Sequence, residues 1–312
     1  MKLSRVLTLR APNPSAMTLD GTNTYLLDAG NGAAVVIDPG PNIEAHIQRM
    51  VGAAGERGLH IVAIAVTHGH PDHAPGAAPL AQRTGAPVYA HQNATFPHSR
   101  SLSDGETLRF EALSLLAVDA PGHARDHLVF WYPQESALFT GDTVIGRGTV
   151  VIAPPQGDMR AYVRTLRRLR DEFPDAQRLY GGHGDPIDTP RAKLDEYLAH
   201  RATREAQVLA ELANGARTIP ELVARLYSGL APVLQPAAAR QLLAHLIALE
   251  DEGLVWGSDV ARPQTQAERA LLNPDLSQIV PPEELAVTRA ELGLDEAPRL
   301  LEYALTRARD AR

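Results

Sequence analysis

Residues 60–73 read His60-Ile61-Val62-Ala63-Ile64-Ala65-Val66-Thr67-His68-Gly69-His70-Pro71-Asp72-His73. The first seven are almost wholly apolar and rich in β-branched side chains, the pattern of a strand buried on both faces. Directly after it come three imidazoles and a carboxylate within six positions, where open α/β sheets commonly place ligand sites. His68 and His70 alternate and can point to one side of an extended loop, while Asp72 and His73 can face a second ion. Together they exceed what one metal ion uses comfortably.

Mixed strands and helices extend outward from this stretch. Thr24–Leu27 and Ala33–Ile37 read as strands joined by a turn at Gly30-Asn31-Gly32. Asp38-Pro39-Gly40-Pro41 stops the second, and Asn42 reads as the N-cap of a helix carrying Ile43, Ile47 and Met50 on one face. Downstream, the pattern predicts a helix at 76–83 and strands at 87–90, 107–110, 113–118, 128–132 and 137–139. A helix over Met159–Phe173 and a strand at 177–180 follow. The expected class is layered α/β. After about Arg191 strands nearly cease. Helices are expected over 193–212, from Thr218-Ile219-Pro220-Glu221 onward, and over 236–252, the last burying Leu242, Leu243, Leu246, Ile247 and Leu249. A short strand at 254–256 completes a winged-helix pattern. Two or three short amphipathic helices, including Pro282–Leu292 and Pro298–Arg309, are expected beyond Ser258. The domains are therefore read as 1–192, 193–257 and a helical extension at 258–312.

At roughly 150 residues per domain, a chain of 312 residues allows about two domains, or one large domain with an appendage. With 44% hydrophobic and 21% charged residues it can bury a sizeable core, which excludes a mainly disordered or fibrous protein. A net charge of −7 argues against a general nucleic-acid coat. There is no cysteine, which excludes disulfides, thiolate metal sites and a cysteine nucleophile. Any metal must rest on His, Asp or Glu, donors that suit Zn²⁺ and tolerate Mn²⁺ or Fe²⁺. Arg5 and Arg10 interrupt the N-terminal apolar pattern, and no apolar run is long enough to span a bilayer, so a cytoplasmic location is expected.

Further ligand types follow expected strands. Pro121-Gly122-His123, Thr140-Gly141-Asp142 and Gly182-His183-Gly184 each pair one with a glycine that lets backbone crowd a metal or substrate. Asp38 reads as turn chemistry or as support for a ligand. Tyr25 and Tyr89 read as core. His91 and His98 are assigned to a solvated loop, and His46, His60, His200 and His245 to ordinary helix or strand positions.

With His68, His70, Asp72, His73, His123, Asp142 and His183 in this order, residues 15–190 resemble the metallo-β-lactamase-fold hydrolases, which share an HxHxDH loop, a later His, an Asp and a final His. The resemblance implies a four-layer αββα sandwich with the site at one edge between the sheets. It implies one divalent ion on His68, His70 and His123 and a second on Asp72, His73 and His183, with Asp142 bridging. Between two such ions a shared water ionises near neutral pH and attacks an ester, thioester or phosphodiester, and Asp72 orients it as the catalytic carboxylate. Asn23, Asp38, His127, Arg147 and Thr149 are candidates for supporting ligands or reaching substrate.

More narrowly, Thr18-Leu19-Asp20-Gly21-Thr22-Asn23-Thr24-Tyr25-Leu26, the run Pro121–His127, TVVIAPPQGDM at 149–159 and His200-Arg201 are similar to the β-lactamase-like protein 2 group. That group includes single-strand endoribonucleases and has thioesterases as close relatives. Ala124 stands where the pattern usually has Thr, and the tail beyond Ser258 is longer than the pattern needs. The implied partners are a small acyl substrate or a short single-stranded RNA, with a homodimer also in view.

Two other readings compete. Relatives with similar ligand runs bind iron and handle oxygen or persulfide, but Asp72-His73 matches the hydrolytic version. The second is a winged-helix nucleic-acid-binding regulator. From Leu198 to Gly257 the basic residues are Arg201, Arg204, Arg217, Arg225 and Arg240, against Glu205, Glu211, Glu221, Glu250, Asp251 and Glu252. That balance gives no phosphate-binding stripe, so neither duplex DNA nor a membrane is an expected partner.

Overall fold

In the computed structural model, which describes residues 5–276, 285–292, 294–295 and 299–306, the apolar run around Ile64 is an interior strand of a six-stranded sheet. The sheet comprises β1 (Val6–Arg10), β2 (Asn23–Gly30), β3 (Ala33–Ile37), β4 (His60–Ala65), β5 (Val88–His91) and β6 (Arg100–Leu102), in that spatial order. Helices α1 (Glu44–Glu56) and α2 (Ala77–Thr84) are the crossovers that let β3, β4 and β5 run parallel. A second sheet has the order β11-β10-β9-β8-β7, with β7 Thr107–Phe110, β8 Leu113–Asp119, β9 Leu128–Tyr132, β10 Ala137–Gly141 and β11 Arg178–Gly181. Helix α3 (Met159–Glu172) connects β10 to its parallel neighbour β11.

Alternation along the strands sets the layers. Tyr25, Leu27, Val35 and Ile37 meet Leu115, Phe130, Tyr132 and Phe139 between the sheets. Leu26, Val36, Ile64 and Val66 point the other way, onto Ile47 and Met50 of α1 and Leu80 of α2. On the outer side of the second sheet, Trp131 meets Phe173 at 5.1 Å and Thr165 Oγ1 donates to Pro121 O at 2.8 Å. Helices thus flank two facing sheets, the αββα order.

Local details differ from the expectation. In β4 the register slips between Ile61 and Ala63, so Val62 is bulged out and 38% exposed while Ile61, Ala63, Ile64 and Ala65 stay buried. The cap position of α1 is Ile43, with no side-chain cap bond, not Asn42. His91 is buried at the end of β5, with Nε2 3.1 Å from Asp119 Oδ1, and is not a solvated loop residue. Strands β1 and β6 were not expected.

The chain divides into two compact units, residues 1–150 with 165–194 and residues 151–164 with 195–312. In the second, most of α4 (Pro190–Ala213) precedes β12 (Arg217–Thr218), α5 (Ile219–Leu226), α6 (Gln235–Asp251) and β13 (Val255–Asp259). A capping box joins Thr218 and Glu221 at the start of α5. Short helices α7 (Gln266–Leu272) and α8 (Leu285–Glu291) lead to β14 (Leu301–Leu305). The sheet order is β12-β14-β13, so the last strand lies in the middle.

That strand overturns the expected helix at 298–309, of which residues 298 and 307–309 lie outside the described residues. Leu301, Tyr303 and Leu305 alternate at the strand period, and Tyr303 is buried among Leu242, Leu246 and Val255. Within the expected extension at 258–312, residues 301–305 are therefore not helical but supply the central strand of the winged-helix sheet. Helix α8 falls within the expected 282–292 segment, whose residues 282–284 also lie outside the described residues. In α6, Leu243 is half-buried and Ile247 is 38% exposed rather than buried. Segment 151–164 bonds to both α6 and α4: Ile152 N donates to Gln241 Oε1 at 3.0 Å, and Arg160 reaches Glu205 of α4 and Glu252 just after α6. No helix among the described residues is long and apolar enough to cross a membrane.

Tyr303→Ala should lower the stability of the C-terminal unit by about 3 kcal/mol or more, as for other buried aromatics cut to alanine. Chemical denaturation followed by helical circular dichroism measures this, and an unchanged midpoint would return residues 301–305 to the status of an appendage.

Candidate metal centre

The seven expected ligands lie on loops at the ends of strands from both sheets. His68, His70, Asp72 and His73 follow β4, and His123 lies between β8 and β9. Asp142 follows β10, and His183 follows β11. The sandwich brings their polar atoms together in three overlapping groups: His68, His70 and His123; His68, His73 and Asp142; and Asp72, His73 and His183. His70 Nδ1 is 2.9 Å from His68 Nε2 and 2.9 Å from His123 Nε2. Asp72 Oδ2 is 3.3 Å from both His73 Nε2 and His183 Nε2. Asp142 also approaches rings of the other two groups, at 3.7 Å from His123 Nε2, 3.5 Å from His73 Nε2 and 3.3 Å from His183 Nε2.

One carboxylate orients two of these rings. Asp38 follows β3 at φ 50°, a left-handed conformation that Asp tolerates better than most residues. Its Oδ1 accepts from Thr67 N at 2.7 Å, and its Oδ2 accepts from Thr67 Oγ1 at 2.8 Å and from His73 Nδ1 at 2.9 Å. Because the Thr67 hydroxyl proton is spent on Asp38, Thr67 Oγ1 accepts from His68 Nδ1 at 3.0 Å. Both rings therefore carry a proton on Nδ1, so that Nε2 is the atom each turns toward the cluster.

The other candidates separate. His127 is buried and stacked on His68 at 4.6 Å, and its Nε2 accepts from Asp142 N at 3.1 Å. Asn23 Nδ2 donates to Gly181 O at 3.1 Å and Gly184 O at 2.8 Å, clamping the loop that carries His183. Arg147 is exposed and 3.8 Å from Asp20, and Thr149 is half-buried; neither belongs to a ligand group among the described residues. Two residues escaped the sequence reading. Thr67 fixes His68, and Thr22 Oγ1 donates to Asp72 Oδ2 at 2.7 Å. Their only signals were adjacency to the histidine run and membership of the 18–26 stretch. Gly182 is required sterically: a Cβ there would sit 2.4 Å from Asp142 Oδ1 and 2.6 Å from His73 Cε1.

Electrostatics divides the rings. Burial, then neighbouring rings, hold His68 well below the ordinary imidazole value, and burial followed by His123 takes His70 down to about 3. His127 falls for the same reasons. Burial also opposes charge on His73, but Asp72, Asp142 and Asp38 outweigh it and raise that ring well above its usual value. His183 is raised, with Asp142 overcoming burial. Burial alone would raise Asp72 and Asp142, yet His73 and His183 hold both below the carboxylate range.

These residues fit divalent cations. Ligand atoms around a tetrahedral Zn²⁺ lie roughly 3.3 Å apart, close to the separations here. Buried His73 Nε2 and Asp142 Oδ1 make no hydrogen bond, an expensive condition that a cation relieves.

Comparison with known proteins agrees. A model of the metallo-beta-lactamase superfamily matches residues 17–183, and one of the beta-lactamase associated winged helix domain matches residues 218–259. A beta-lactamase-like protein 2 homolog of Drosophila melanogaster is 33% identical over 268 residues, covering 80% of this chain and 89% of that protein. An atrochrysone carboxyl ACP thioesterase of Aspergillus chevalieri is 33% identical over 240 residues, covering 70% and 72%. A crystal structure of a metallo-beta-lactamase family protein from Thermus thermophilus superposes with a TM-score of 0.69 at 25% identity, covering 82% of this chain and 96% of that one.

Asp38→Asn should weaken Zn²⁺ retention about 10–100-fold, the usual cost of losing a residue that orients a ligand histidine; elemental analysis after graded chelation measures it. Protons and cations compete for Nε2 of His73 and His183, whose raised values keep them protonated above the ordinary imidazole range. Uptake at Asp72, His73 and His183 should therefore release protons and weaken as pH falls, more steeply than at His68, His70 and His123. Calorimetry in buffers of differing ionisation enthalpy counts the protons, and equal release at both sets would contradict the division.

Proposed function

The chain belongs to the metallo-beta-lactamase superfamily, and from that premise we propose that it is a hydrolase that uses two divalent cations, Zn²⁺ foremost, to cleave an acyl thioester or ester. The observation that carries this reading is the convergence of seven side chains, from separate stretches of one unit, into overlapping ligand groups that share His68 and His73. When bound, the cations supply Lewis acidity toward the substrate carbonyl and acidify water.

The protein's own groups do the rest. His68, His70 and His123 would hold one cation and Asp72, His73 and His183 the other, with Asp142 within 3.7 Å of a ring from each set. Side-chain exposure supports Asp72 as the catalytic carboxylate. Asp72 is 23% exposed against 12% for Asp142 and 0% for His73, so Asp72 is the carboxylate of the cluster more open to solvent. Its depressed proton affinity keeps it ionised and able to orient the attacking water. Attack on the carbonyl carbon breaks the bond to sulfur or oxygen, releasing an acid and a thiol or alcohol.

Two observations support an acyl substrate over a nucleic acid. A relative named as a carboxyl ACP thioesterase matches at 33% identity over 70% of this chain. Helix α6, the winged-helix element that would read a groove, buries Ala238, Ala239, Gln241, Leu242, His245 and Leu249. Its exposed residues are Ile247, Glu250 and Asp251, which offer phosphates nothing. An acyl substrate also places no demand on a basic surface.

The test is a panel of acyl thioesters, lactones and single-stranded RNA, assayed after chelation with Zn²⁺, Mn²⁺ or Fe²⁺ added back. Thioester or ester turnover should return with metal. Asp142→Asn and His68→Ala should each cost more than about a hundredfold, since these are ligands rather than their supports. Cleavage of RNA alone would overturn the acyl assignment; turnover indifferent to chelation would overturn the metal-dependent hydrolase.

A further inference from the structure

Residues 13–22 form a loop whose hydrogen bonds end on one atom of the metal centre. Gly21 sits at φ +118°, and a Cβ there would lie 2.2 Å from Ala11 O, so the chain turns back tightly onto its own start. Thr18 Oγ1 donates to Asn13 O at 2.5 Å, and Ala11 N donates to Thr22 O at 2.8 Å. Thr22 then bridges to His183 in the antiparallel sense. Buried completely, it has no freedom to serve any group but the one it faces.

Its hydrogen bonds have a forced direction. Thr22 N can only donate, and it donates to Asn13 Oδ1 at 2.9 Å. The same amide therefore presents Nδ2 to Thr22 Oγ1, at 3.0 Å. With that acceptor position filled, the Thr22 hydroxyl proton goes to Asp72 Oδ2 at 2.7 Å. Oδ2 is also the oxygen that faces His73 and His183, each at 3.3 Å.

We propose that Asn13 and Thr22 form a relay that positions Asp72, fixing its rotamer so that the remaining electron density of Oδ2 points at the second cation. Thr22 is a positioning residue, since it touches neither cation nor substrate. The relay rests on the reading that Asp72, His73 and His183 hold that cation. It requires the hydroxyl itself: a buried threonine acting only as filler would be replaced by the isosteric valine without effect on binding.

Zn²⁺ alone is the probe, titrated against a competing chelator with the full chain. Wild type should take up two equivalents. Thr22→Val should weaken the second equivalent about 10–100-fold and leave the first unchanged, Thr22→Ser should restore it, and Asn13→Ala should shift it in the same direction by less. Should Thr22→Val fail to fold, Asn13→Ala decides alone, its half-exposed position making it the milder change. Two equivalents bound by the variants as tightly as by wild type would overturn the relay while leaving the dinuclear reading intact, as would equal loss of both equivalents. Fewer than two equivalents on wild type would overturn the dinuclear reading and the relay with it.

Discussion

A carboxylate buried at position 38 makes the metal centre a part of the fold. Taking such an ion out of water costs several kcal/mol even after relaxation. Asp38 meets that cost with three charge-assisted hydrogen bonds, from Thr67 N, Thr67 Oγ1 and His73 Nδ1. At about 1.5–3 kcal/mol each, these match the penalty without a large surplus. The pair of sheet ends after β3 and β4 is thereby tied at the point where the histidine run begins. Every one of the three donors also constrains a ligand: two hold Thr67, which turns His68, and the third turns His73.

The same logic extends to the second sheet, where shape replaces charge. Gly141 and Gly182 are the residues whose missing side chains let the Asp142 and His183 loops close on Thr67, His73 and His127. His127 fills the remaining space, stacked on His68 and accepting from Asp142 N, so that it links a ligand of one sheet to a ligand of the other. It stays neutral because burial and the surrounding rings oppose a charge there, and only a neutral ring can accept that bond. The centre is preorganised by residues that would never touch a cation.

This division explains what was legible in the chain and what was not. Ligands need particular atoms, so His68, His70, Asp72, His73, His123, Asp142 and His183 are confined to chemically distinctive residue types, and the strands that carry them could be placed from periodicity. Supports need only a donor or acceptor at the right distance. Thr22 and Thr67 are ordinary threonines whose role exists only once the first sheet has folded and brought their loops together. The misplaced strand at 301–305 has a related origin: its pairing partners Arg217–Thr218 and Val255–Asp259 lie far away in sequence, and a five-residue apolar alternation carries too little period to outweigh a helical reading of its flanks.

The order β12-β14-β13 also says how the C-terminal unit keeps the winged-helix topology while carrying an insertion. A winged helix needs a strand after its first helix, two more helices and a hairpin, and residues 195–306 supply them, with α7 and α8 inserted between the two strands of the hairpin. An insertion there costs little loop-closure entropy, because doubling a loop adds only about 0.6 kcal/mol. Segment 151–164 then joins α6 to α4: the Gln241 amide accepts from Ile152 N, and Arg160 is held between Glu205 of α4 and Glu252 just after α6. The fold is retained because its hydrophobic centre, Leu222, Leu242, Leu246, Val255 and Tyr303, is a stable way to pack three helices on three short strands, whatever the outer surface later comes to do.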